Sequence, residues 1–200
     1  MMRILACSDL HGDLNATQRI VAETGTADVL IVAGDLGNEG QGAEPVLAAL
    51  KAAHCPVIVV AGNHDRLTDL REISRDWRDV HVLHGQSFRL RDVTFFGLGG
   101  EIPRANAALW NFSLSEAAAA RELALCPANA VLITHTPPKG FVDRQPNGAH
   151  DGSVSVLETL KQKQPRLLFC GHVHASFGAE ETVGNSQIFN LGPSSRKVSL

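Results

Sequence analysis

The chain reads as an α/β domain, and three observations carry that reading. Short, mostly apolar runs of four or five residues recur along its 200 residues: Ile4–Ser8, Val29–Ala33, Val57–Ala61, Val131–Thr134 and Leu167–Cys170. Helical stretches fall between them, an alternation that builds helices onto a sheet. Each run stops at a polar or glycine-containing segment. Uninterrupted apolar runs of this length suit strands buried on both faces, as a helix-covered parallel sheet requires.

In chain order, Ile4–Ser8 predicts the first strand and Ala16–Glu23 the first helix. Asp28 reads as a turn residue before Val29–Ala33, and Pro45–Ala53 predicts the second helix. Val57–Ala61 is the third strand, followed by a helix over Leu67–Arg75. Arg66, Arg71, Arg75 and Arg78 recur at about one helical turn and read as a solvated face. Phe88 to Phe96 predicts two short strands around Arg91 and Asp92. Ser115 caps a helix to Leu125. Ala118 stands three residues on, where a capping box would need Glu or Gln, so the cap is a simple one. Val131–Thr134, a helix over Ser153–Gln162 and Leu167–Cys170 complete the alternation. Thr182 to Val198 predicts further strands around turns, which makes the C-terminal part antiparallel or mixed. The longest loops are 97–111 and 136–152, and loops of that length in a compact domain tend to carry function. No repeat, linker or low-complexity tract interrupts the chain, so one domain over residues 1–200 is expected.

Composition excludes several classes. Eighteen Lys and Arg stand against 21 Asp and Glu, and a net charge of −3 leaves no basic coat for a nucleic-acid polymer. Cys7, Cys55, Cys126 and Cys170 form no Cys-x-x-Cys pair, so neither a zinc ribbon nor a redox dithiol is indicated; three of them sit in or beside apolar runs and read as small buried hydrophobes. No run approaches the ~20 apolar residues of a membrane span, and the opening apolar stretch is too short for a signal peptide. A soluble cytoplasmic protein without a membrane partner is the expectation. Nine histidines beside no tyrosine raise the question of whether they are scattered or placed.

They are placed. The five runs end in Asp9-Leu10-His11, Gly34-Asp35, Gly62-Asn63-His64-Asp65, His135 and Gly171-His172-Val173-His174. Open α/β sheets bind ligands beyond the carboxyl ends of their strands, where all these groups fall. In extended chain, residues i and i+2 point to one side, so Asp9 with His11 and His172 with His174 can each present two donors together. Glycines 34, 62 and 171 allow sharp turns or close backbone approach. Carboxylate, imidazole and amide donors without thiolate favour Mn, Fe, Zn or Ni over a structural zinc. Two ions sharing a bridging carboxylate use seven such ligands well.

Taken together in this order, the five motifs resemble those of the calcineurin-like metallophosphoesterase superfamily. The resemblance implies a four-layer α-β-β-α double β-sandwich with mixed sheets. It implies that Asp9, His11, Asp35 and His174 hold a first divalent transition-metal ion. Asp35, Asn63, His135 and His172 would hold a second, with Asp35 as the bridge. His64 would face the substrate, with Asp65 as its orienting partner. Two metal ions about 3.5–4 Å apart can activate a shared water for in-line attack on phosphorus. Asn63 and His64 would hydrogen-bond the phosphoryl oxygens, and His64 would assist the leaving group.

The segment His135-Thr136-Pro137-Pro138-Lys139-Gly140-Phe141, with Asp143 and Asn190, resembles a small subgroup related to class III cyclic-nucleotide phosphodiesterases. That tips the expected substrate toward small phosphodiesters, including cyclic nucleotides, with Mn favoured. The alternatives are a phosphomonoesterase or protein phosphatase, a dinucleoside polyphosphate hydrolase, and a non-catalytic scaffold; the scaffold predicts missing ligands, and none is missing. Arg104, Trp110, Asn111 and Phe112 in the long middle loop are candidate substrate contacts, Arg104 and Asn111 foremost. Gly37–Gly42 and Gly97–Gly100 lack a P-loop's Gly-Lys-Ser/Thr and read as flexible loops. His54, His81, His84 and His150 match no motif. Oligomeric state is left open.

Overall fold

The computed structural model describes residues 1–105 and 107–200. Eleven strands and five helices occur among them. One sheet has the order β11-β1-β2-β3-β4, made of Arg196–Ser199, Arg3–Cys7, Val29–Val32, Val57–Val59 and Val80–Val82. The other runs β5-β6-β7-β8-β10-β9, made of Gln86–Leu90, Val93–Leu98, Val131–Thr134, Leu167–Cys170, Ser186–Asn190 and Glu180–Val183. In each, a parallel centre carries antiparallel outer strands: β11 on β1, β5 on β6 and β9 on β10.

Side-chain alternation sorts the apolar residues into layers. Ile4, Ala6, Val29 and Ile31 face Phe95, Val131, Ile133, Phe169 and Phe189 of the other sheet, forming the core between the sheets. Leu5, Cys7, Leu30 and Val32 point the opposite way, against helices α1 (Leu14–Glu23), α2 (Ala43–Leu50) and α3 (Leu67–Ile73). Leu132, Leu168, Cys170 and Ile188 likewise meet α4 (Glu116–Leu123) and α5 (Val154–Lys163). This is the expected α-β-β-α stack, and both faces of the central strands are covered. All four cysteines are free and buried, one more than the sequence reading buried. No described helix is long and apolar enough to cross a membrane.

Polar caps set the helix starts. Asp13 accepts from Ala16 N at 2.9 Å, so α1 begins earlier than Ala16. Ser115 caps α4 through Ala118 N at 3.2 Å, as expected. Glu116 then reaches across to α5, accepting from Val154 N at 2.9 Å and Ser155 N at 2.8 Å. Pro45 falls inside the first turn of α2 rather than at its start, because a missing N–H costs nothing there. β4 escaped the sequence reading because His81 interrupts its three-residue run; it pairs parallel to β3. Asp28 is more than a turn residue. Its carboxylate meets Arg3 and Arg91, both at 3.1 Å, and so ties the two sheets together.

Candidate metal centre

The first, second and third strands deliver Asp9, His11, Asp35, Asn63 and His64 just past β1, β2 and β3. From the other sheet, β7 delivers His135 and β8 delivers His172 and His174 to the same edge. Sharp turns do this: Asp9 (φ 53°), His11 (43°), Asp35 (55°) and His172 (68°) all lie in the left-handed region. Such backbone costs of order 1 kcal/mol per non-glycine residue and persists only where its surroundings fix it. Here they do. Asp9 N donates to Gly34 O and His11 N to Asp35 O, each at 2.9 Å. A Cβ on Gly62 would stand 2.0 Å from Asp35 Oδ1, and one on Gly171 2.2 Å from Asp9 Oδ2. The motif glycines therefore let the carboxylates lie flat against backbone.

Two groups of donors result. In the first, His174 Nε2 lies 3.5 Å from Asp9 Oδ1 and 3.4 Å from His11 Nε2, which is 3.6 Å from Asp35 Oδ2. In the second, His135 Nε2 lies 3.4 Å from Asp35 Oδ2 and 3.1 Å from Asn63 Oδ1. His172 Nδ1 approaches the same Asn63 oxygen at 3.1 Å. Asp35 stands between the groups. The ring of His135 donates to Ala33 O at 2.8 Å through Nδ1, so that in the neutral ring the lone pair lies on Nε2. Ser8 Oγ donates to Asp9 Oδ2 and itself accepts from Gly192 N at 2.8 Å.

The charges of the site favour a cation. Burial favours a neutral Asp35, but His135 beside it holds the carboxyl well below the usual range. Burial also works against a charged His135, yet Asp35 and Asp9 raise its pKa to about 10. His172 is pushed down to about 4 by burial and then by His135. His174 is raised, chiefly by its contact with Asp9. Every ion pair of Asp9 and Asp35 among the described residues is with a histidine. Lone pairs thus converge without a lysine or arginine among them, and protons on histidine substitute for a cation. Asp9, His11 and His174 form one set of ligand atoms within 4.8 Å of one another, and Asp9, Asp35 and His135 a second. Nitrogen and oxygen donors in that arrangement fit two divalent transition-metal ions.

His64 sits at the rim, half-buried. Its ring stacks on Trp110 (centroids 4.6 Å, interplanar 25°) and meets His11 edge-on at 5.0 Å. Its own N–H donates to Asp35 Oδ1 at 2.8 Å. Burial lowers its pKa, against the pull of Asp35. The expectation that Asp65 orients this ring is corrected. Asp65 is fully enclosed and accepts from Gly62 N (2.8 Å), Gly37 N (2.9 Å) and Leu36 N (3.2 Å). It clamps the turn after β2 to the turn after β3. The ring is set instead by Glu39 N, which donates to Nδ1 at 3.0 Å.

Asn111 is also corrected as a substrate contact. It is buried, and its amide donates inward to Glu101 Oε2 at 2.8 Å. Arg104 is exposed on the same loop. The two glycine-rich stretches, read as flexible loops, each contain a glycine packed against backbone. A Cβ on Gly37 would lie 2.3 Å from Gln41 O, and one on Gly99 2.3 Å from Ala61 O, so both are close-packing positions. Asp143 and Asn190 brace the rim. Asp143 accepts from Gly140 N and Gly152 N at 2.9 and 2.8 Å and pairs with His150 at 2.6 Å. Asn190 donates to Val142 O at 2.8 Å and Val173 O at 3.2 Å, joining the 136–152 loop to the His172–His174 turn. Ser8 and Glu101 at this site gave no signal of their own in the sequence, and Trp110, expected to line the substrate pocket, stacks on the His64 ring.

A double sandwich with paired metal-ligand groups at its strand ends defines a dinuclear metallohydrolase. The calcineurin-like phosphoesterase family model matches residues 2–176, and the chain belongs to that family. It is a metal-dependent phosphoric ester hydrolase. A UPF0046 protein of Caenorhabditis elegans is 30% identical over 94% of this chain and 69% of its own length. The crystal structure of a Thermus thermophilus protein superposes with TM-score 0.76 at 20% identity, covering 98% of both chains. A dimetal phosphatase from Danio rerio superposes with TM-score 0.66 at 14% identity, over 96% of this chain and 88% of that one.

Proposed function

We propose that this protein hydrolyses small phosphodiesters, cyclic nucleotides among them, with Mn favoured as the active metal. The observation that carries the reading is the complete donor set with His64 at its open rim. In this assignment Asp9, His11, Asp35 and His174 hold one ion, and Asp35, Asn63, His135 and His172 the other. When bound, two such ions lower the pKa of a coordinated water and neutralise charge on phosphoryl oxygens.

The chain's own residues supply orientation. Glu39 N–H on Nδ1 leaves the proton of a neutral His64 ring on Nε2, so Nε2 is the atom that donates to the leaving oxygen. Trp110 keeps the ring plane fixed while it does so. Asp35 Oδ1 fixes the His64 backbone, coupling the rim to the centre. Asn63 sits where its amide can serve both an ion and a phosphoryl oxygen. The diester preference follows the likeness of the 135–141 segment, with Asp143 and Asn190, to the subgroup related to class III cyclic-nucleotide phosphodiesterases. The proposed partner is a small phosphoester, in keeping with a chain of net charge −3 that carries no basic coat for a nucleic-acid polymer.

The test is a panel with added Mn: an aryl phosphodiester, a cyclic nucleotide, an aryl phosphomonoester, a phosphopeptide and a dinucleoside polyphosphate. The highest kcat/KM is expected on a diester, with loss on chelation. A higher kcat/KM on the monoester or phosphopeptide would make the protein a phosphatase.

A further inference from the structure

Glu101 follows β6 and is buried at the inner end of the 99–115 loop, where no metal ligand is expected. Its two carboxylate oxygens have different surroundings. Oε2 accepts from Asn111 Nδ2 at 2.8 Å and from Ala105 N at 3.0 Å. Oε1 faces His172 Nε2 at 3.7 Å, and His172 is its one ion-pair partner among the described residues. The opposite ring nitrogen of His172, Nδ1, is the one turned toward Asn63 and the centre.

We propose that Glu101 is a positioning residue that sets the tautomer and ring plane of His172, and through it the affinity of the second metal position. A carboxylate facing Nε2 holds the ring proton there and leaves the Nδ1 lone pair free to ligate. Histidine ligands characteristically donate their outer N–H to such a group, and losing that group costs about 10–100-fold in metal affinity. The same carboxylate anchors the loop that carries Trp110 over His64, so the ligand shell and the substrate rim share one residue.

The inference rests on His172 being a ligand, and the experiment separates the two claims. Mn2+ alone is titrated into metal-free parent, Glu101→Gln, Asn111→Ala and His172→Ala proteins, with bound and free ion followed by EPR. In Glu101→Gln, the amide oxygen replaces Oε2 toward Asn111 and Ala105. The amide NH2 then faces Nε2 and favours the wrong tautomer. Expected is a second-ion affinity about 10–100-fold weaker, with first-ion affinity retained as internal proof of folding. Asn111→Ala removes one donor from Oε2 but leaves the Oε1 carboxylate toward His172, so it should weaken the second ion less than Glu101→Gln does. If His172→Ala loses the second ion while Glu101→Gln binds it like the parent, Glu101 has no such role. Equal weakening in Asn111→Ala and Glu101→Gln would assign the effect to the loop and overturn the proposal. Retention of both ions by His172→Ala would remove His172 from the ligand set altogether.

Discussion

The two halves of the metal centre are built differently. His135 and Asp35 lie in the interior, their side chains 0% and 2% exposed, whereas His174 is 57% exposed and His11 25%. The inner half is held by backbone: Ala33 O takes one nitrogen of His135, and the Gly62 turn lies against Asp35. In the outer half Asp9 is held by Ser8 and by the His172 backbone, while the two imidazoles lean on one another and on Asp9. The difference teaches that one position is buried and braced by backbone before any ion arrives, while the other is open to solvent.

Removing the shared member should erase the distinction. Asp35→Asn is expected to lose both ions and all turnover, read by metal analysis alongside aryl diester hydrolysis. Retention of one tightly bound ion would show that Asp35 is not the bridge. His174→Ala should sharpen the distinction: the outer ion is lost, the inner one is kept, and unfolding free energy shifts by no more than about 0.5 kcal/mol, as for exposed positions generally.

Proton linkage follows from the inner half. With its pKa raised to about 10, His135 carries a proton at neutral pH in the metal-free protein. Metal uptake must expel that proton, so affinity should rise with pH toward about 10 and uptake at neutral pH should acidify the medium. The stability sign is opposite. The raised pKa stabilises the metal-free fold fully below the ordinary histidine value of about 6.5, and that contribution fades as pH rises through the folded value. Calorimetry in buffers of different ionisation enthalpy reads the proton count.

The smallest effect lies far from the centre. Burial works against the Glu116 charge, but hydrogen bonds from Ser155, Val154 and Ser153 hold its pKa below the usual range. Glu116→Gln should cost about 1 kcal/mol or less by denaturant unfolding, as for a partly exposed helix cap. The loss should be present above the ordinary glutamate pKa and vanish as pH falls through the lowered one. Metal content should be unchanged.

Much of this was legible in the sequence, for an identifiable reason. Asp9, His11, Asp35, Asn63, His64, His135, His172 and His174 sit directly after apolar runs, so strand periodicity alone brings them to one edge. Ser115 was legible as a cap because its partner is three residues away. What escaped depends on pairs remote along the chain: Glu101 with His172, Trp110 with His64, Glu39 N–H with the His64 ring. Adjacency misled for Asp65, whose neighbour His64 points elsewhere while backbone N–H groups from two turns take its oxygens. Glycines 37 and 99 read as flexible-loop residues in one dimension and are contact points in three.

The most direct test follows Mn binding and aryl diester turnover together, equivalent by equivalent, in the parent protein and in His64→Ala. Turnover in the parent should appear with the second equivalent. His64→Ala should bind both ions yet lose about 10²–10⁴-fold in kcat, the range for removing a positioned proton donor. Parent activity that is complete without metal, or a His64→Ala rate equal to the parent's, would contradict a dinuclear centre with His64 at its rim.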